Sequence, residues 1–138
     1  MTINDSKSHE RISRNIGIIL IGLLGIEYIL GMINNLYVHF PETGMDVQMW
    51  EFAWKQLSVV SHIILGIFLL LAGLFIFILA IRTVNRIKII VSGIGFIAIF
   101  VAGFSGAMFI PTQKDIYSLS MSIAFLVALL SYVWFTFG

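Results

Sequence analysis

The sequence predicts an all-α membrane protein, an antiparallel up-down-up-down bundle of four transmembrane helices. Three observations predict it. Hydrophobic residues make up 59% of the 138 positions and charged residues only 11%, more apolar surface than a soluble domain of this size can bury. The apolar residues gather into four continuous runs, at 16–38, 57–81, 89–110 and 116–137. Lys and Arg concentrate in alternate connecting segments.

Each run is 22 to 25 residues long by its bounds, and a helix needs about 20 to cross a bilayer. The runs are continuously apolar rather than alternating, which argues against barrel strands. Backbone groups in lipid must be bonded within the segment, so each run is a helix. Residues 1–15 form a polar tail ahead of a single domain at 16–138, and residues 1–10 read as a disordered, solvated stretch. The first run is long enough to span and no small-x-small cleavage site follows it, so no cleavable signal is expected. The formal charge of +1 is too small to suggest nucleic-acid binding. Without cysteine there are no disulfides, thiolate metal sites or cysteine nucleophiles.

Orientation follows from the basic residues. The tail holds Lys7, Arg11 and Arg14, and the link between the second and third spans holds Arg82, Arg86 and Lys88. The other side has only Lys55 and Lys114. Positive charge favours the cytoplasm, so a cell-membrane protein with both termini inside is expected. The outer links are then "HFPETGMDVQMWEFAWKQ" and "PTQKD". In the first, Trp50, Phe52 and Trp54 join Tyr37 and Tyr117 as an aromatic belt at the headgroups. Asp46 is expected to cap a helix that runs on into the second span, with Glu51 and Lys55 paired four apart. A lid over an outward pocket, turned by Pro41 and Gly44, is the sharper reading of the same link.

Small and polar residues mark one face of each span. The faces are Glu27, Gly31 and Asn34 on the first, and Ser58, His62, Gly66 and Gly73 on the second. On the third they are Gly95, Ala98, Ala102 and Gly106, with Gly103 and Ser105 beside them. On the fourth they are Ser120, Ala124, Ala128 and Ser131. Counting inward at about 1.5 Å per residue puts His62, Asn34, Ser105 and Ser120 in one layer roughly 6–8 Å below the outer boundary. Glu27 falls deeper, near the midplane, as a polar or proton-holding floor, too deep to orient the His62 ring. The inner half carries no ionisable residue, which weighs against a conducting pathway.

An ionisable group inside a membrane is costly, so His62 and Glu27 are the candidates for function. The bland alternative is that they bond across helices and fix the packing. The leading ligand is haem b, with His62 as axial ligand. Asn34, Gly66, Ser105, Gly106, Ser120 and Met121 would complete the site. Met108, Met121 or Met32 would stand in for a second histidine, and His39 would do so only if its loop folded inward. A quinone or lipid headgroup on His62, Asn34 and Ser120 is a further reading. A metal on His39, Glu42 and Asp46 has only loop-like spacing behind it. From another class comes an accessory subunit of a larger membrane complex, respiratory or otherwise redox, or a homo-oligomer, with the bilayer as its surroundings. No serine, histidine and acid form a compact catalytic motif, so no enzymatic activity is expected.

The stretches "LGMINNLYVHFP", "HIILG", "GFSGAMF" and "SMSIAF" resemble small four-helix membrane proteins of archaea and some actinobacteria, a group with no assigned activity. The resemblance covers all four spans and implies the same fold. It implies matching positions for Gly31, Asn35, His62, Gly66 and Gly106. His39 departs from the pattern. The resemblance brings no chemistry.

Overall fold

The computed structural model describes residues 3–41, 45–83 and 85–138, with side chains there apart from those of residues 3–10, 12 and 13. Five helices follow in order: α1 (Ile3–Tyr37), α2 (Asp46–Lys55), α3 (Leu57–Ile81), α4 (Arg86–Thr112) and α5 (Asp115–Phe137). All but α2 are long and apolar enough to cross a membrane, and no strand occurs among the described residues. The chain is built as an integral membrane protein. Its outer surface is apolar: Ile19, Ile64, Phe104 and Leu130 each leave about 60% of their surface uncovered, which water would penalise and lipid does not.

The long helices form a closed ring, with α3 and α5 each packed against both α1 and α4. Neighbours in the ring run in opposite directions, α3 and α4 included, where Gly73 faces Ile99 while Gly93 faces Phe77. Asn34 meets Ser58 while Glu27 meets His62. Gly17 faces Thr136 while Tyr28 meets Phe125. Ser105 meets Ser120 while Gly95 faces Tyr132. The bundle is therefore antiparallel and up-down-up-down, as the short links require.

Buried positions recur at threes and fours. On α1 they are Gly17, Leu20, Leu24 and Glu27, and the same face continues to Gly31 and Asn34. The core joins Leu20 and Leu24 to Leu69, Ile76, Ala98 and Ile99, closed by Ala128 and Tyr132. Tyr132 is completely buried. It fits because a Cβ at Gly95 would stand 2.9 Å from its ring and one at Gly73 only 2.7 Å from its hydroxyl. The buried face of α5 continues from Ala128 to Tyr132, and Ser131 beside it also packs on α4, its Cβ 3.2 Å from where one at Gly95 would stand, while its hydroxyl donates back to the Val127 carbonyl. Tyr132 also corrects the expectation of an inner half without an ionisable group: its phenol is buried in the half of the bundle away from α2, with no hydrogen-bond partner among the described residues.

Other boundaries differ from expectation for local reasons. Residues from Ile3 onward are helical rather than disordered. Once the apolar span has nucleated a helix, extending it is cheap, and 3–15 contains no glycine or proline to stop it. Helix α2 does not run on into α3, because Gln56 is extended at φ −92°, ψ 111°. Asp46 is the first helical residue rather than the cap; Met45 precedes it, and its N–H donates to Gln48 Oε1 at 3.1 Å. Glu51 and Lys55 do pair, at 2.7 Å, and both are exposed. The Lys55 hydrogen bond, then its charge, lowers the Glu51 carboxyl below its ordinary range. That small surface contribution is present above the ordinary carboxylate pKa and is lost as pH falls through the lowered one.

At the far end of α4, Pro111 lies inside the last turn, and Gln113 takes a left-handed φ of 50°. Its backbone N–H donates to the Phe109 carbonyl, and its side-chain amide donates to those of Phe109 and Ile110. These bonds satisfy the helix end, and the link to α5 shrinks to Gln113 and Lys114.

Candidate ligand-binding site

On α1, Glu27 and Gly31 are one turn apart, and on α3 so are His62 and Gly66. The antiparallel register pairs them crosswise. A Cβ at Gly66 would lie 3.1 Å from Glu27 Oε1, and one at Gly31 would lie 3.4 Å from His62 Cε1. The glycine on each helix leaves room for the ionisable side chain of the other. The outcome is a contact of 3.0 Å between His62 Nδ1 and Glu27 Oε1. The carboxylate stands off the line of a good hydrogen bond, since Nδ1 has no partner by direction. The two groups are therefore close neighbours rather than a well-aligned hydrogen-bonded pair.

This corrects the expectation that Glu27 lies too deep to orient the ring. Counting depth along separate helices compares Cα positions. Across a crossing, residues one turn apart are diagonal neighbours about 5.4 Å apart along the axis, and a glutamate and a histidine together span that gap.

Asn34 continues the same face. Its amide nitrogen donates to the Ser58 carbonyl at 3.4 Å, near the limit for such a bond. Its oxygen has no partner, nor has Glu27 Oε2. The cluster thus holds three buried polar atoms with no partner among the described residues, where native interiors leave few. Glu27 is 8% exposed, while the His62 side chain keeps 24% of its surface uncovered.

That uncovered surface belongs to the wall of a cavity of 460 Å³. Glu27, Gly31, Asn34, His62 and Gly66 form its polar wall. Phe40, Trp50, Phe100, Phe104 and Met121 are among its apolar walls, and among the described residues no Lys or Arg lines it. Gly106 also lines it; a Cβ there would stand 3.4 Å from Met121 Sδ. At Gly103 a Cβ would meet nothing within 4 Å.

The structure brings together His62, Asn34, Gly66, Gly106, Met121 and Glu27. Ser105 and Ser120 it does not bring in. Their hydroxyls bond each other at 3.0 Å across α4 and α5, and neither lines the cavity. They share the depth of His62 but not its side of the bundle. Met32, Met108 and His39 do not line the cavity either. Of the metal candidates, Glu42 lies outside the described residues, as does Gly44 of the turn. Among the described residues no three His, Asp or Glu side chains gather to hold a metal.

Phe40 and Trp50 are cavity-lining positions that composition could not reveal. Trp50 reads as a headgroup anchor, yet it lines the cavity. It does so because Met49 and Ala53 bury α2 against Val59 and Ile110. Phe40 packs between Phe52, at 5.4 Å, and Phe109, at 6.4 Å. Tyr37 and Trp54, by contrast, are exposed as belt residues would be. Asn35 also lines the cavity, at a position that only the resemblance singled out.

Chemically, a carboxylate beside Nδ1 favours the tautomer with its proton there and leaves Nε2 as a lone-pair acceptor. Such a ring can take a hydrogen-bond donor or a metal ion. Comparison with known proteins adds no precedent: no family model, curated protein or solved structure matches the chain.

Proposed function

We propose that this is a non-catalytic membrane protein that binds a lipophilic ring bearing hydrogen-bond-donating hydroxyls, a molecule of the quinol class. The observation that carries the reading is the Glu27–His62 contact on the wall of an otherwise apolar cavity. With its proton on Nδ1, His62 accepts a hydrogen bond from a phenolic hydroxyl. Trp50 and Phe104 supply flat apolar walls for the ring. The volume lies within the range of about 300–1,000 Å³ usual for small-molecule sites. An oxidised quinone offers only acceptors to an accepting nitrogen and fits less well.

Haem b is a second reading, favoured by the same contact. Histidines that bind metals usually have their other nitrogen on a carboxylate, and Met121, on the cavity wall, would supply a second ligand to the iron. Against it, two propionates would enter a cavity that has an acid and, among the described residues, no Lys or Arg on its walls. For topology, we place both termini in the cytoplasm and α2 outside. Six of the eight Lys and Arg then lie inside, two outside.

The test uses purified wild-type protein produced with ample haem. Visible spectra are recorded before and after dithionite, and the protein is titrated with duroquinol and duroquinone. The expected result is no Soret band and tighter binding of duroquinol. A Soret band would transfer the site to haem, and no binding of either ring would overturn the quinol reading.

A further inference from the structure

We propose that the cavity is loaded from within the bilayer, through a cleft between α3 and α4 at Gly103, by a ligand whose apolar tail remains in that cleft. The inference rests on the ligand reading above and adds the tail and the route.

The seam between α3 and α4 is closed at one end and open at the other. At the closed end Phe77 and Phe96 stack with centroids 6.3 Å apart and planes within 4°. A Cβ at Gly93 would lie 3.1 Å from the Phe77 ring, and one at Gly73 would lie 3.2 Å from Ile99 Cδ1. Two turns along α4 from Phe96, at Gly103, nothing stands within 4 Å of the same test atom. The helices are packed to glycine contact below and leave a gap above.

The residues around that gap belong to two surfaces at once. Ile67 on α3 and Phe100 and Phe104 on α4 line the cavity, yet they are 56%, 55% and 60% exposed. The cavity wall is here also the outer surface of the bundle, at a height where that surface faces lipid. The end of the bundle is different. There α2 packs against both α3 and α4, Met49 and Ala53 are buried, and Trp50 lines the cavity from α2. A molecule dissolved in water meets this roof, whereas one dissolved in the membrane meets the side opening. A polar head drawn to His62 leaves its tail pointing back along the path of entry. Lipid chains and the cleft walls are equally apolar, so a tail lying there sacrifices nothing.

The experiment compares duroquinol, which has no tail, with a decyl-substituted quinol, both titrated into protein in lipid nanodiscs. Gly103→Phe fills the cleft from α4 without touching the polar wall. It is expected to weaken the decyl quinol at least tenfold more than it weakens duroquinol. Ile67→Trp fills the cleft from α3 and should give the same split, which guards against misfolding of either variant. Equal losses for both probes, or no loss for either, would overturn the cleft while leaving the quinol site standing. Failure of wild-type protein to bind either probe overturns the ligand reading itself, and the cleft with it.

Discussion

A methyl group at Gly66 would stand 3.1 Å from the Glu27 carboxylate, so the absence of a side chain there is part of the site. Gly66→Ala sets two effects against each other. Alanine improves the helix by about 0.5–1 kcal/mol. Displacing Glu27 from His62 loses an interhelical polar contact of similar size, averaging about 0.6 kcal/mol in membranes. Thermal stability should therefore barely move, while duroquinol affinity falls because His62 loses its orienting carboxylate. Unchanged affinity would show that Glu27 does not prepare the ring. Tyr132 gives a second test at this scale. Its hydroxyl is buried without a partner, and such a group costs about 1–3 kcal/mol. Tyr132→Phe should stabilise the protein by about 1 kcal/mol in reversible unfolding. It should also relieve the crowding introduced by Gly73→Ala, whose methyl would meet that hydroxyl at 2.7 Å. A destabilised Tyr132→Phe would mean that the hydroxyl is bonded after all.

Between elements, the α4–α5 and α1–α3 pairs divide the polar residues that share one depth. Ser105 and Ser120 satisfy each other, so a double-mutant cycle with alanine should show a coupling of about 1 kcal/mol or less. Neither single variant should alter duroquinol binding; a loss of binding in Ser105→Ala would return that serine to the site. Asn85 caps α4 by accepting from the Ile87 and Lys88 amides. Asn85→Ala should cost about 1 kcal/mol, read as a lowered melting temperature with binding intact.

The four spans, their antiparallel order and the shared face of Glu27, Gly31 and Asn34 were legible in the sequence, because length and helical spacing determine them. Which serine shares a side with His62 was not, since depth counts carry no information about position around the ring. Nor was the break at Gln56, a residue with no breaking character of its own. The His62–Glu27 contact depends on the register of two crossing helices, which appears only as a pair of glycines spaced like their partners.

For the molecule as a whole, the cysteine-free chain allows a direct test of topology. Single cysteines at Gln113 and Thr83 lie at opposite ends of the bundle. An impermeant thiol reagent on intact cells should label the first and spare the second. The reverse pattern would invert the bundle. The central claim is that the cavity ligand meets His62, and ¹⁵N NMR of histidine-labelled protein tests it most directly. The chain has three histidines, His9, His39 and His62, and His39 does not line the cavity, while His9 lies in the polar tail. Without ligand, His62 should show a protonated Nδ1 and a bare Nε2. Saturation with duroquinol should shift the His62 Nε2 signal and leave those of His9 and His39 in place. A His62 signal that stays fixed while the quinol is bound would contradict the account.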